Sequence, residues 1–151
     1  MTTKKALNML NQSEQIAITK AIKIIESKAL VSDLIATSSQ VVKNYCQLKI
    51  ALSERELFGV LYLNNQNHLI SFEIMFKGTI NAAAVYPREI AKLALKLNAT
   101  AIVVCHNHPS GVLEASNADK SITELLIKAL NLLDIRVLDH VIVSPKGSLS
   151  F

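Results

Sequence analysis

The spacing of apolar positions changes several times along the 151 residues, and each change marks an element. From Ser13 to about Ala29, Ile18, Ala21, Ile22 and Ile25 recur at helical spacing, with Ser13 placed to cap the first turn. A second helical stretch follows Ser38 and Ser39, carries Val41, Val42, Tyr45 and Leu48, and breaks near Ser53. From Arg55 the period shortens. Two apolar runs of strand length flank the polar cluster at residues 64–67, which is the pattern of a β-hairpin. Gly78 opens a turn or bulge, and residues 80–85 predict a further short strand. Pro87 suits the first position of a helix whose apolar face is Ile90, Leu93, Ala94 and Leu97. Residues 100–105 form an unbroken apolar run, expected of a strand buried on both faces. After a loop at Pro109, Ser110 and Gly111, helical spacing returns behind Ser116 through Ile122, Leu125, Leu126, Ala129 and Leu133. Residues 135–143 read as a strand before a turn at 144–147. The order predicts an α/β chain, a mixed sheet flanked by helices. Residues 1–52 are expected as a helical segment packed on a domain formed by residues 53–151.

Length adds that this is one ordinary domain, with no need of a metal or disulfide merely to fold. Half the residues are apolar and 19% are charged, which excludes disordered, collagen-like and coiled-coil chains. No apolar run approaches the ~18 residues of a bilayer helix, and the start, with Lys4 and Lys5, lacks the apolar core of a secretion signal. A soluble cytoplasmic protein without membrane contact is expected. The net charge of +4 is small, and its bases (Lys20, Lys23, Lys28, Lys92, Lys96) are singletons on helix faces. Such a distribution is a solvated surface and lacks the basic stripe of a direct DNA binder. With no export signal, Cys46 and Cys105 are expected to be buried thiols.

Chemistry concentrates in residues 105–119, directly after the buried strand. In extended backbone, side chains two apart point the same way, so His106 and His108 can converge while Asn107 turns aside. Two imidazoles on one side suit a metal. The next non-local carboxylate is Asp119, in the first turn of the following helix, where the N-terminal dipole keeps a ligand ionised. Two His and one Asp leave a fourth position free, the mark of a catalytic zinc site, where bound water falls to a pKa near 7. Taken alone, His-x-His is also read as two polar loop residues.

The longer pattern His-x-His-x7-Ser-x-x-Asp, through His106, His108, Ser116 and Asp119, resembles the JAMM metal motif of the JAB/MPN metallopeptidases. His-Asn-His-Pro-Ser-Gly, with Pro87-Arg88-Glu89 upstream and Asp139-His140 downstream, is similar to the RadC branch, over roughly residues 54–151. The resemblance implies a three-layer, cytidine-deaminase-like architecture and zinc held by His106, His108 and Asp119. It also implies a glutamate as general base. Glu54, Glu56, Glu73, Glu89 and Glu114 are candidates, and Glu56-Leu57-Phe58-Gly59-Val60-Leu61 is similar to the Glu-x-x-Gly-Val-Leu of those domains, which selects Glu56. Its other reading is an exposed carboxylate at a strand start. Ser116 would steady an oxyanion, and it is equally a helix cap with Asp119 three residues on. Ala115 stands where the RadC pattern usually has Pro, which loosens the loop but spares every ligand. His68 is expected to be exposed, His140 to be a hydrogen-bonded structural histidine or a support of the site, and Arg88 is left without a role.

By this resemblance the chain is a zinc-dependent hydrolase acting on a peptide or protein substrate at peptide or isopeptide bonds, with a homodimer as an open assembly. Two alternatives stand beside it. RadC-like proteins carry a DNA-repair label, but residues 1–50 show no Gly-containing helix-hairpin-helix, so the chain is similar to the short form found in mobile elements. Such relatives usually run on several residues beyond Phe151, so a trimmed end is a further expectation. The other alternative is a non-catalytic partner-binding scaffold, as in JAB/MPN relatives that have lost ligands; here every ligand is present.

Overall fold

A computed structural model describes residues 9–31, 39–78 and 85–151. In chain order its elements are α1 (Gln12–Val31), α2 (Ser39–Ile50), β1 (Leu57–Leu63), β2 (Leu69–Lys77), α3 (Pro87–Lys96), β3 (Ala101–Asn107), α4 (Asn117–Asn131), β4 (Arg136–Ser144) and β5 (Gly147–Ser150). β1 pairs antiparallel with β2 and with β3, β3 runs parallel to β4, and β5 returns antiparallel on β4. The sheet order is therefore β2-β1-β3-β4-β5. A parallel pair needs a crossover, and α4 lies in the β3–β4 connection.

Strand alternation sorts the core into two halves. Leu61, Leu63, Ala101, Val103, Cys105, Val141 and Val143 face one side, buried with Val42, Tyr45, Cys46 and Ile50 of α2. Phe58, Val60, Tyr62, Ile102 and Val104 face the other, buried with Ile90 and Ala94 of α3 and Ile122, Leu126 and Leu130 of α4. Helices thus cover both faces of a mixed sheet, the three-layer α/β class expected. β3, sandwiched in the middle, is buried at all seven positions, which is why its run of apolar residues has no polar alternation. No helix among the described residues is long and apolar enough to cross a membrane.

Several boundaries differ from the sequence reading. α1 starts at Gln12 and is capped by Asn11 instead of Ser13: the Asn11 Oδ1 accepts from Glu14 N at 2.9 Å and the Glu14 carboxylate accepts from Asn11 N at 2.8 Å. That reciprocal pair satisfies two terminal N–H groups, whereas Ser13 lies inside the helix. α1 also runs on to Val31, and α4 ends at Asn131, short of Leu133. The α4 exit turns through Asp134 at φ 56°, and Ile135 N bonds back to Leu130 O at 3.0 Å. Of the strand expected at 80–85, residues 80–84 lie outside the described residues; Val85 is buried and not in a strand.

The sheet has no room at Gly59. An added Cβ would lie 2.8 and 2.9 Å from two Phe72 ring atoms and 3.2 Å from Cys105 Sγ. Gly59→Ala is therefore expected to cost about 1–3 kcal/mol as an overpacked core position. A lower urea midpoint at unchanged slope is the expected readout. An unchanged midpoint would mean that the Phe72 ring yields to the added methyl group.

Candidate metal centre

β3 delivers the first candidate ligand. His106 follows Val104 on the α3/α4 face, is 1% exposed, and sits opposite Phe58 of β1, whose ring stacks on it at 6.2 Å with planes 10° apart. His108 lies just past the strand, but its N–H bonds Val143 O at 2.9 Å. The extended course persists, so both imidazoles point the same way. Its Nδ1 meets the Val112 carbonyl at 2.8 Å. A carbonyl only accepts, so Nδ1 carries the proton and Nε2 is left as a lone pair.

Asp119 arrives from the first turn of α4, 3% exposed. Ser116 caps that helix: its Oγ accepts from Asp119 N at 3.1 Å, and its own N–H donates to Asp119 Oδ2 at 2.8 Å. The capping box thus fixes the Asp119 rotamer as well as a helix start. His106 Nε2 lies 3.2 Å from Asp119 Oδ1, His108 Nε2 3.5 Å from Oδ2, and the two Nε2 atoms are 2.9 Å apart. Two donors on a tetrahedral ion at ~2.0–2.1 Å stand roughly 3.3 Å apart. One donor atom from each of the three residues lies within 4.8 Å of the others, close enough for the group to fit a small divalent ion. Two imidazole nitrogens and a carboxylate converging this closely need positive charge between them, which a proton or a metal cation supplies.

Burial works to raise the Asp119 pKa, but the adjoining His106 ring and the hydrogen bond from the Ser116 N–H outweigh it. The carboxyl is held well below its usual range, ionised as a ligand must be. His106, His108 and Asp119 are the one group among the described residues able to hold a metal in this way. Three protein donors leave a position open for water or substrate.

His140 is not a fourth ligand. It is fully buried behind His106, with Nε2 2.7 Å from His106 Nδ1. Burial first, then the neighbouring His106, pushes its pKa down to about 3, so the ring is neutral near pH 7. Cys105, next in chain to His106, faces the opposite layer and hydrogen-bonds Cys46. Both thiols are free and buried, as expected. His68 is half-buried instead of exposed, because Asn64 Oδ1 accepts from its N–H at 3.0 Å and folds the turn back.

Asn107, between the two imidazoles, has a role that the spacing did not disclose. Its Oδ1 accepts from Leu57 N at 2.6 Å, and its Nδ2 donates to the carbonyls of Ser53 at 3.1 Å and Arg55 at 3.0 Å. The lead-in to β1, residues 53–57, is therefore pinned to β3. Glu56 lies in that lead-in, half-buried. Counting back from Phe58 opposite His106 sets position 56 level with His108, on the Phe58 side of the strand. Glu54 is half-buried in the same segment, while Glu73, Glu89, Glu114 and Arg88 are exposed. The signal for Asn107 was its parity: a buried Asn on the far side of a strand must spend its amide on backbone.

A three-layer domain with a His-His-Asp group where the central strand passes to the next helix has the JAB/MPN architecture. The chain belongs to the RadC-like JAB domain family, whose model matches residues 36–151. It is 44% identical over 147 residues to a UPF0758 protein of Methylibium petroleiphilum, covering 97% of this chain and 66% of that one. It is 46% identical over 138 residues to a UPF0758 protein of Vibrio cholerae, covering 91% and 86%. Against the UPF0758 protein YeeS of Escherichia coli it is 46% identical over 142 residues, covering 94% and 96%. The chain spans little more than half, 53%, of a Pseudoalteromonas translucida relative.

Proposed function

We propose that the chain is a zinc-dependent hydrolase of amide bonds in peptides or proteins, peptide or isopeptide. The observation that carries this reading is the convergence of His106, His108 and Asp119 within one ion's reach, with no fourth protein donor among the described residues. Zinc held there would supply a Lewis acid for the scissile carbonyl and a water acidic enough to attack near pH 7. Glu56 is the base that takes the attacking water's proton and passes it to the leaving amine. Its support is its register level with His108 and the family-like text around it. Ser116 donates its hydroxyl to the developing oxyanion. In the cap that oxygen accepts, which leaves its proton to give, and the residue is exposed beside Asp119.

The test is the zinc-loaded chain incubated with a library of peptides and isopeptide-linked peptides, and separately with single- and double-stranded DNA, with products read by mass spectrometry. Amide cleavage abolished by a chelator is expected. Metal-dependent DNA cleavage would replace the reading with a nuclease, and a fully loaded chain that cleaves neither would favour the scaffold.

A further inference from the structure

His106 is tied to more than its fellow ligands. Behind it a row of hydrogen bonds runs into α4: His106 Nδ1 to His140 Nε2 at 2.7 Å, His140 Nδ1 to Thr123 Oγ1 at 2.6 Å, and Thr123 Oγ1 to the Asp119 carbonyl at 2.8 Å. The row starts on one metal donor and ends on the backbone of another. Donor counting gives it a direction. The Asp119 carbonyl can only accept, so the single Thr123 hydroxyl proton is spent there. Thr123 Oγ1 must then accept from His140, which places the His140 proton on Nδ1 and a lone pair on Nε2. His106 in turn donates Nδ1–H to that lone pair, and its own Nε2 is bare. The reverse polarity would put a proton on His106 Nε2, where the ion belongs, and would leave the Asp119 carbonyl facing an oxygen with no proton to offer. The ring of His140 is also boxed in. It is fully buried, with the Phe58 ring edge-on at 5.8 Å and Phe151 stacked at 4.6 Å.

We propose that Thr123 and His140 are positioning residues that hold His106 in its Nδ1–H form, keeping its Nε2 lone pair aimed at the ion. Because Thr123 lies one helical turn after Asp119, the same turn of α4 that presents the carboxylate also sets the tautomer of the first imidazole. The inference rests on the zinc reading above. Partners of this kind commonly matter roughly 10- to 100-fold in metal affinity.

Thr123→Val and Thr123→Ser separate this role from packing, since valine keeps the shape and loses the hydroxyl, whereas serine keeps the hydroxyl and loses a methyl. Zinc affinity of the full chain would be measured by chelator competition, with urea midpoints alongside and 15N NMR of the imidazoles in the zinc-loaded wild type. Thr123→Val is expected to bind zinc roughly 10- to 100-fold more weakly, Thr123→Ser to stay close to wild type, and the His106 proton to sit on Nδ1. Wild-type affinity in Thr123→Val, a loss in Thr123→Ser as large as in Thr123→Val, or coordination of zinc through His106 Nδ1 would each overturn the inference while leaving the zinc site intact. A wild-type chain that binds no zinc would overturn the metal reading, and this inference with it.

Discussion

Asp119→Asn is expected to weaken zinc binding by two to three orders of magnitude while leaving the fold in place. Four-ligand zinc sites gain about 10–16 kcal/mol, so one ligand's share is roughly 3–4 kcal/mol, and each 1.4 kcal/mol is tenfold. Asparagine keeps a side-chain oxygen for the Ser116 N–H, so the cap on α4 survives and the loss reports on the charge and the donor. The metal-free chain gives a second readout. The folded Asp119 carboxyl sits below its ordinary range, so it contributes stability above the unfolded pKa near 4 and loses it as the pH falls further. Wild type should thus exceed Asp119→Asn in urea midpoint at pH 7, with the gap closing below about pH 4. Equal zinc affinities of the two chains would remove Asp119 from the ligand set.

Glu56→Gln should do the opposite: bind zinc like wild type and lose hydrolysis. General-base catalysis is worth roughly 10²- to 10⁴-fold, and glutamine keeps the size and hydrogen-bonding reach of the side chain without the basicity. Stability should stay within about 0.5 kcal/mol, since the residue is half-buried at the edge of β1 and no ligand of the ion. His106→Ala is the contrasting variant, losing zinc and turnover together. The measurement is the initial rate on a peptide found in the library screen, with zinc content determined on the same samples. Full hydrolysis by Glu56→Gln would move the base elsewhere, and Glu54, in the same pinned segment, is the next variant to make.

What the sequence discloses and what it withholds divide along a physical line. The two-residue and helical periods of apolar side chains are local, so the hairpin, the buried β3 and the α4 crossover could all be read directly from them. His106, His108 and Asp119 were equally legible, because strand parity and a helix's first turn fix where such side chains go. Partners set by register between distant segments were not. Asn107 reaches residues 53–57 only because β1 pairs with β3, and His140 backs His106 only because β3 and β4 run parallel with Val104 beside His140. Thr123 becomes meaningful only after both are placed. The cap of α1 is hidden for a different reason, since Asn11 and Ser13 are both good caps two positions apart, and the bond to Glu14 decides between them.

X-ray absorption spectroscopy on the full chain loaded with one equivalent of zinc tests the central claim most directly. A nitrogen and oxygen shell at ~2.0–2.1 Å, with the outer scattering of two imidazoles and no sulfur at ~2.3 Å, is the predicted spectrum. A chain that takes up no zinc, or whose zinc shows a sulfur neighbour or fewer than two imidazoles, would contradict it.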